Sequence, residues 1–123
     1  MKKIQPTGYQ PGSAELGYQN QIPVDFSPGA TQSATATTDF YEVGSYSTLR
    51  LVCAVASAGT GTLDLTVQTS GDNTNWYTAG TFAQKTGAAT ERKVFSVDRY
   101  VRVLATIGGG SPAFVYTLKG FVV

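Results

Sequence analysis

The sequence predicts an all-β protein: an antiparallel, jelly-roll-like β-sandwich of about seven or eight short strands, preceded by an extended N-terminal arm. Three observations predict this class. Apolar and polar residues alternate over short runs, and turn signals separate the runs every 8 to 12 residues or so. The 14 glycines, 7 tyrosines and 6 phenylalanines also favour β structure over helix. No helical period is long enough for a crossover helix, so a parallel sheet is not expected.

The individual strands are predicted from Asp39 onward. The clearest alternation places Leu63, Leu65 and Val67 inward, with polar residues between them. Gly- and Asn-rich segments at 58–61, 70–75 and 108–112 are predicted as turns, the last of them as a hairpin turn. The predicted strands then cover residues 40–43, 49–55, 63–67, 76–82, 93–97, 100–107 and 114–119.

The N-terminal third has a different composition. Residues 1–38 are predicted to form an extended arm and a flexible connector, and residues 39–123 the β-sandwich domain. Four of the five prolines lie in the first part, alternating with glycines, which disfavours a long helix or a central strand. Single apolar residues are spaced along it, and we expect them to anchor the arm on a partner surface. These anchors are Tyr9, Leu16, Tyr18, Ile22, Val24 and Phe26.

Residues that support enzyme chemistry are scarce. The chain has no histidine, which removes the commonest general base and metal ligand. Its single cysteine, Cys53, lies at an inward position of an alternating run. Nothing in the pattern brings two of the 8 carboxylates together across a cleft. Asp72 lies in a cluster of oxygen-bearing side chains that suits calcium less well than a turn bonded to its own backbone. We therefore expect a protein that is not an enzyme and has no cofactor or metal.

The charge and hydropathy of the chain indicate which classes of partner to expect. The net charge is +1, and the cations Arg92, Lys93, Arg99 and Arg102 are expected on solvent-facing strand positions, so nucleic-acid binding is not expected. No segment has the ~18 apolar residues of a membrane helix. Because no apolar stretch follows Lys2 and Lys3, synthesis in the cytoplasm without general secretory export is expected. Charged residues make up only 14% of the chain, which favours a surface covered by another protein.

Two runs and the C-terminal strand carry a resemblance to a known class of protein. The runs are TLDLTVQTSGDNTNW, at residues 62–76, and ERKVFSVDRYVRV, at residues 91–103. With the ending at residues 114–118, they resemble small β-sandwich structural proteins of tailed-bacteriophage particles. The resemblance spans roughly residues 45–123 and leaves the N-terminal arm unmatched.

This resemblance implies a role in the virion. A capsid decoration, or cement, protein would bind the outer surface of the phage head, contacting the major capsid protein and neighbouring copies of itself, as a homo-oligomer such as a trimer. A tail, neck or baseplate component of the same particle is an alternative. A third hypothesis is a carbohydrate-binding jelly-roll module, in which Trp76 and Tyr77 stack on a glycan. The Asp-Gly order common in such modules is absent from the turn before Trp76.

Overall fold

The computed structural model describes residues 2–3 and 21–123 of the chain. In these residues all regular structure is β, and no helix is present. One sheet contains all the strands, and each pairing is antiparallel except that of the first strand with the fourth. In chain order the strands are β1 (Lys2–Lys3), β2 (Ile22–Asp25), β3 (Ala36–Thr37), β4 (Tyr41–Glu42), β5 (Thr48–Ser70), β6 (Tyr77–Thr81), β7 (Ala89–Ser96) and β8 (Tyr100–Val122).

A long two-stranded ribbon organises the sheet. β5 and β8 have 23 residues each and pair from Leu49↔Val122 at one end to Ser70↔Tyr100 at the other. One half of the ribbon is flanked by β7 and β2, and the other half by β6, β3 and β4. The sheet curls into a half-barrel, so its concave face encloses the core.

The turn predicted at 58–61 and the hairpin turn predicted at 108–112 are both wrong. β5 and β8 continue through them, with Gly59 opposite Pro112 and register shifts on both sides. Gly59 has φ +65°, and a Cβ there would lie 2.5 Å from the Ser111 carbonyl oxygen. At Gly109, with φ +104°, a Cβ would lie 2.5 Å from the Gly61 Cα. Glycine is therefore required because the two backbones approach closely where the ribbon bends.

The core follows the predicted alternation. Leu63, Leu65, Val67 and Cys53, which the sequence predicts to point inward, are all buried, and this confirms the period-2 interpretation. The side chains between inward positions are exposed or half-buried, and Arg50 and Val115 are among the exposed ones. The largest fully buried side chains are Phe114, Leu49, Leu51, Leu63, Leu65, Leu118, Val43, Val67, Val101, Val103, Val122 and Cys53.

Side chains join the two halves of the curled sheet on one open side. The Phe26 and Tyr41 rings meet edge to face with centroids 5.0 Å apart. The Tyr41 hydroxyl accepts a hydrogen bond from the Asp25 backbone N–H at 2.9 Å and lies 3.1 Å from the Asp25 carbonyl oxygen, to which it donates. These contacts connect β2 in one half with β4 in the other.

The opposite open side is bridged in a similar way. The Phe82 and Phe95 rings pack with centroids 5.4 Å apart. The Glu91 carboxylate accepts a hydrogen bond from the Ala83 backbone N–H at 3.0 Å. Because no strand pairing links β6 with β7 in the described chain, side-chain packing holds this side together.

Candidate docking surface

Three of the predicted arm anchors belong to the core of the chain's own sheet. Val24 and Phe26 are each 4% exposed, and Ile22 packs against the core from a half-buried position. The Phe26 N–H also donates to the Leu118 carbonyl oxygen at 2.8 Å. The expectation that these residues contact a partner is therefore corrected: their apolar surface is already buried within the fold. The anchors Tyr9, Leu16 and Tyr18 lie outside the described residues and stay a prediction.

Trp76 and Tyr77 do not form a shared aromatic platform. The Arg102 guanidinium lies 4.1 Å from the centroid of the Trp76 ring, and its Nε donates to Gln68 Oε1 at 2.8 Å. Phe40 contacts the same indole, with centroids 6.4 Å apart. Tyr77 is 64% exposed and makes none of the ring contacts found in the described residues. A sugar stacking on the Trp76 face that Arg102 covers would have to displace that guanidinium.

The hydrogen bond between Arg102 and Gln68 could not be predicted from the sequence. They are directly opposite one another in the β5–β8 register, 34 positions apart in the chain. The pattern of the separate strands contains no signal for that pairing, because register depends on how the ribbon closes.

The Asp72 carboxylate organises its own turn. It accepts hydrogen bonds from the Thr74 N–H at 2.9 Å, the Asn75 N–H at 2.8 Å and the Ser70 hydroxyl at 3.0 Å. These bonds hold the pKa of Asp72 well below its usual range, the backbone N–H of Asn75 contributing most. Asn73 adopts φ +60° within the turn. The predicted backbone-bonded turn is confirmed, and the described residues contain no cluster of three or more side chains suited to a metal ion.

The ionisable groups near the core make contacts that stabilise the fold. Lys85, which is 6% exposed, donates to Glu91 Oε1 and to the Ala83 carbonyl oxygen. The hydrogen bond from Lys85 lowers the pKa of Glu91. Cys53 is fully buried, and this burial raises the pKa of its thiol. A buried thiol that stays protonated is a poor nucleophile, so Cys53 acts as a small core side chain.

A cavity of about 270 Å³ lies between residues 25–39 and the sheet. Phe26, Tyr41 and Tyr116 contribute aromatic surface, and Asp25 and Asp39 contribute carboxylates. Burial raises the pKa of Tyr116 to about 12. The hydroxyl of Tyr41 is committed to the Asp25 backbone, so this wall of the cavity is part of the β2–β4 bridge.

The convex side of the sheet combines apolar and cationic side chains. In the register, Arg50 of β5 lies between Val94 of β7 and Phe121 of β8. The next row has Val52 between Arg92 and Lys119. We call this surface the outer face, and it consists of Arg50, Val52, Arg92, Val94, Lys119 and Phe121.

The outer face is accessible, and the three charged residues that define it are all cations. Val94 is 58% exposed and Val52 37%, and they border an open groove of about 550 Å³. Arg50 lies 6.0 Å from the centroid of the Phe121 ring. Neither ion pair found among the described residues, Lys85–Glu91 or Arg99–Glu42, involves a cation of this face. The closest acidic position in the register is Asp25 of β2, opposite Lys119.

The described part of the chain contains no helix of the length and hydropathy needed to span a membrane. No family model and no curated protein matches this sequence, so its function is inferred from the geometry of the structure.

Proposed function

We propose that the protein is a non-enzymatic virion structural protein of a tailed bacteriophage, a capsid decoration protein that binds the outer surface of the head and stabilises it. The outer face is the observation that carries this proposal. Exposed valines surrounded by cations that belong to neither ion pair are suited to contact with another protein. The major capsid protein is the proposed partner, and the protein would be made in the host cytoplasm before assembly.

The absence of an enzymatic role is part of the proposal. Four groups with shifted pKa values are committed to structure: Asp72 to its turn, Glu91 to Lys85, and Cys53 and Tyr116 to the buried core. In an active site, perturbed groups gather in a cleft near a position for substrate. Here Asp72 lies in the turn after β5, whereas Glu91 lies opposite Cys53 in the register. Cys53 is fully buried and Glu91 is bonded to Lys85, which favours a binding function.

The finer architecture also belongs to the proposal. We propose that the two halves of the curled sheet act as the layers of a jelly-roll-like sandwich. The Phe26–Tyr41 contact on one side and the Phe82–Phe95 contact on the other support this arrangement, because each joins strands from different halves. A body braced on both sides keeps the outer face rigid, which lowers the entropic cost of docking.

Occupancy on the head would depend on many weak contacts. Neighbouring copies, in a homo-oligomer such as a trimer, would bind several capsid subunits at once, and linked contacts raise apparent affinity without new interactions. The N-terminal residues Tyr9, Leu16 and Tyr18 remain proposed anchors that would add to this avidity.

Co-sedimentation with phage heads that lack the protein tests the proposal. The purified chain is expected to pellet with heads at a saturating, reproducible ratio and to raise the temperature at which heads release DNA. Heads that neither bind the protein nor gain stability would contradict the proposal. Electron microscopy of intact virions distinguishes the alternative, because a tail, neck or baseplate component would give density at one vertex or along the tail.

A further inference from the structure

We propose that the outer face is the surface that contacts the head, and that it docks on a protein patch with an apolar centre surrounded by carboxylates. This inference depends on the proposed function and adds to it the orientation of the β body and the chemistry of the partner surface.

The spacing of the side chains makes the outer face one continuous patch. Neighbouring strands lie about 4.8 Å apart, and alternate residues along a strand about 6.8 Å apart. Arg50 and Val52 are alternate residues of β5, and Arg92 and Lys119 flank Val52 on the two neighbouring strands. All three cations therefore surround the same valine. Carboxylates arranged around one apolar side chain of the partner would face all of them at once.

The charge of the outer face differs from that of the whole chain. Arg50, Arg92 and Lys119 contribute three positive charges, whereas the net charge of the chain is +1. The other outward positions on the β7, β5 and β8 segments, including Thr90 and Thr117, carry no acid. Asp25 of β2, opposite Lys119, reduces the local charge by one but leaves an excess of positive charge. A local excess of one sign favours a partner of the opposite sign, through both steering and specificity.

Other occupants fit this surface less well. A second copy docked face to face by two-fold symmetry would bring like charges together, which is unfavourable. Nucleic acid and lipid headgroups offer phosphates to the cations but would leave Val94 and Val52 without apolar contact. An acidic protein surface with an apolar centre satisfies both features, because Arg is common at protein interfaces and apolar groups are buried at their centres.

The small size of the patch predicts weak individual contacts. Three strands and two or three rows cover roughly 10 by 14 Å in projection. That area is well below the ~800 Å² that each partner contributes to a standard interface. Binding is therefore expected to depend on several copies acting together and to weaken with rising salt, because the cations are exposed.

The test compares two double variants that change the net charge equally. R50Q/R92Q removes two positive charges from the outer face, and S33E/T60E adds two negative charges at exposed positions elsewhere. Thermal unfolding and circular dichroism establish that both variants fold. Each is titrated onto decoration-free heads at low, intermediate and high salt, and the bound fraction is measured by sedimentation.

We expect R50Q/R92Q to bind heads at least about tenfold more weakly at low salt, with a flatter salt dependence, and S33E/T60E to stay within about twofold of the unmodified protein. Equal binding by the two variants would overturn the inference and leave the proposed function intact. If the unmodified protein does not bind heads, the proposed function fails, and this inference fails with it.

Two further measurements distinguish a protein partner from nucleic acid or lipid. V52S is expected to weaken head binding as well, because Val52 is the apolar side chain that the three cations surround. Duplex DNA and phosphatidylglycerol vesicles are tested as polyanion probes. If R50Q/R92Q loses binding to either probe while its head binding is unchanged, the outer face is a phosphate-binding surface and the inference is wrong.

Discussion

Replacing Phe26 by alanine tests whether the first described segment is part of the core. The ring is 4% exposed and packs edge to face on Tyr41 at 5.0 Å. Truncation of a buried phenylalanine to alanine costs about 3–5 kcal/mol, and the lost aromatic pair is included in that range. A domain of this size has a free energy of unfolding of about 5–15 kcal/mol. Phe26→Ala is therefore expected to remove a large share of the stability.

Urea unfolding followed by the fluorescence of Trp76 measures this change. Tyr77→Ala is the matched control: its aromatic ring is 64% exposed, so the loss is expected to be below about 0.5 kcal/mol. A loss below about 1 kcal/mol for Phe26→Ala would show that residues 22–26 detach from the sheet, as a separate arm would. Deletion of residues 1–38 is likewise expected to unfold the protein, since it removes β1, β2 and β3.

Gly59→Ala is expected to lower the free energy of unfolding by about 2–3 kcal/mol, because Gly59 has φ +65° and an added Cβ would lie 2.5 Å from the Ser111 carbonyl oxygen. Gly71 has open space around it, so Gly71→Ala should change the free energy of unfolding by less than about 1 kcal/mol. Equal effects of the two variants in urea unfolding would contradict the bend at Gly59. Burial raises the pKa of Tyr116 to about 12, above its unfolded value of about 10, so its contribution is complete below pH ~10 and is lost as pH rises toward 12. Between about pH 9 and 11.5, this loss should lower the free energy of unfolding of the unmodified protein by up to about 2 kcal/mol, whereas Tyr116→Phe should not show it. A parallel decline in both proteins would contradict the raised pKa of Tyr116. Because the pKa of Asp72 is lowered in the folded state, its contribution to stability is present above pH ~4 and is lost as the pH falls further. Asp72→Ala should therefore make the stability depend less on pH between about pH 5 and 2. An unchanged pH dependence in this range would count against the role of Asp72 in the turn.

The alternation along β5 was sufficient to predict its buried residues. Leu63, Leu65 and Val67 are buried as expected, because a period of two places alternate residues on one face whatever the topology. The glycine segments were misinterpreted for a physical reason. A hairpin turn and a bend in a long ribbon both require glycine, and only the partner strand distinguishes them: Gly59 lies opposite Pro112, not at a chain reversal.

The N-terminal segment was misjudged because its prolines were given too much weight. Pro23 disfavours a central strand, but β2 pairs only with β8 among the described strands and is an edge strand, where proline is tolerated. The alternation of Ile22, Val24 and Phe26 was the available signal for a strand with one buried face.

The outer face was beyond sequence reasoning for a different reason. Arg50, Arg92 and Lys119 are distant in the chain, and each alone indicates only a solvent-facing strand position. They converge because β7 and β8 pair with β5 in one particular register, and a shift of one residue would bring none of them together.

The most direct test of the central claim is an electron cryo-microscopy reconstruction of the intact phage head. We expect density for the β body at many equivalent positions on the outer shell, with the β7–β5–β8 side, including Arg50 and Val94, turned toward the capsid. Density restricted to the tail, or a β body attached to the shell by another side with the outer face open to solvent, would contradict it.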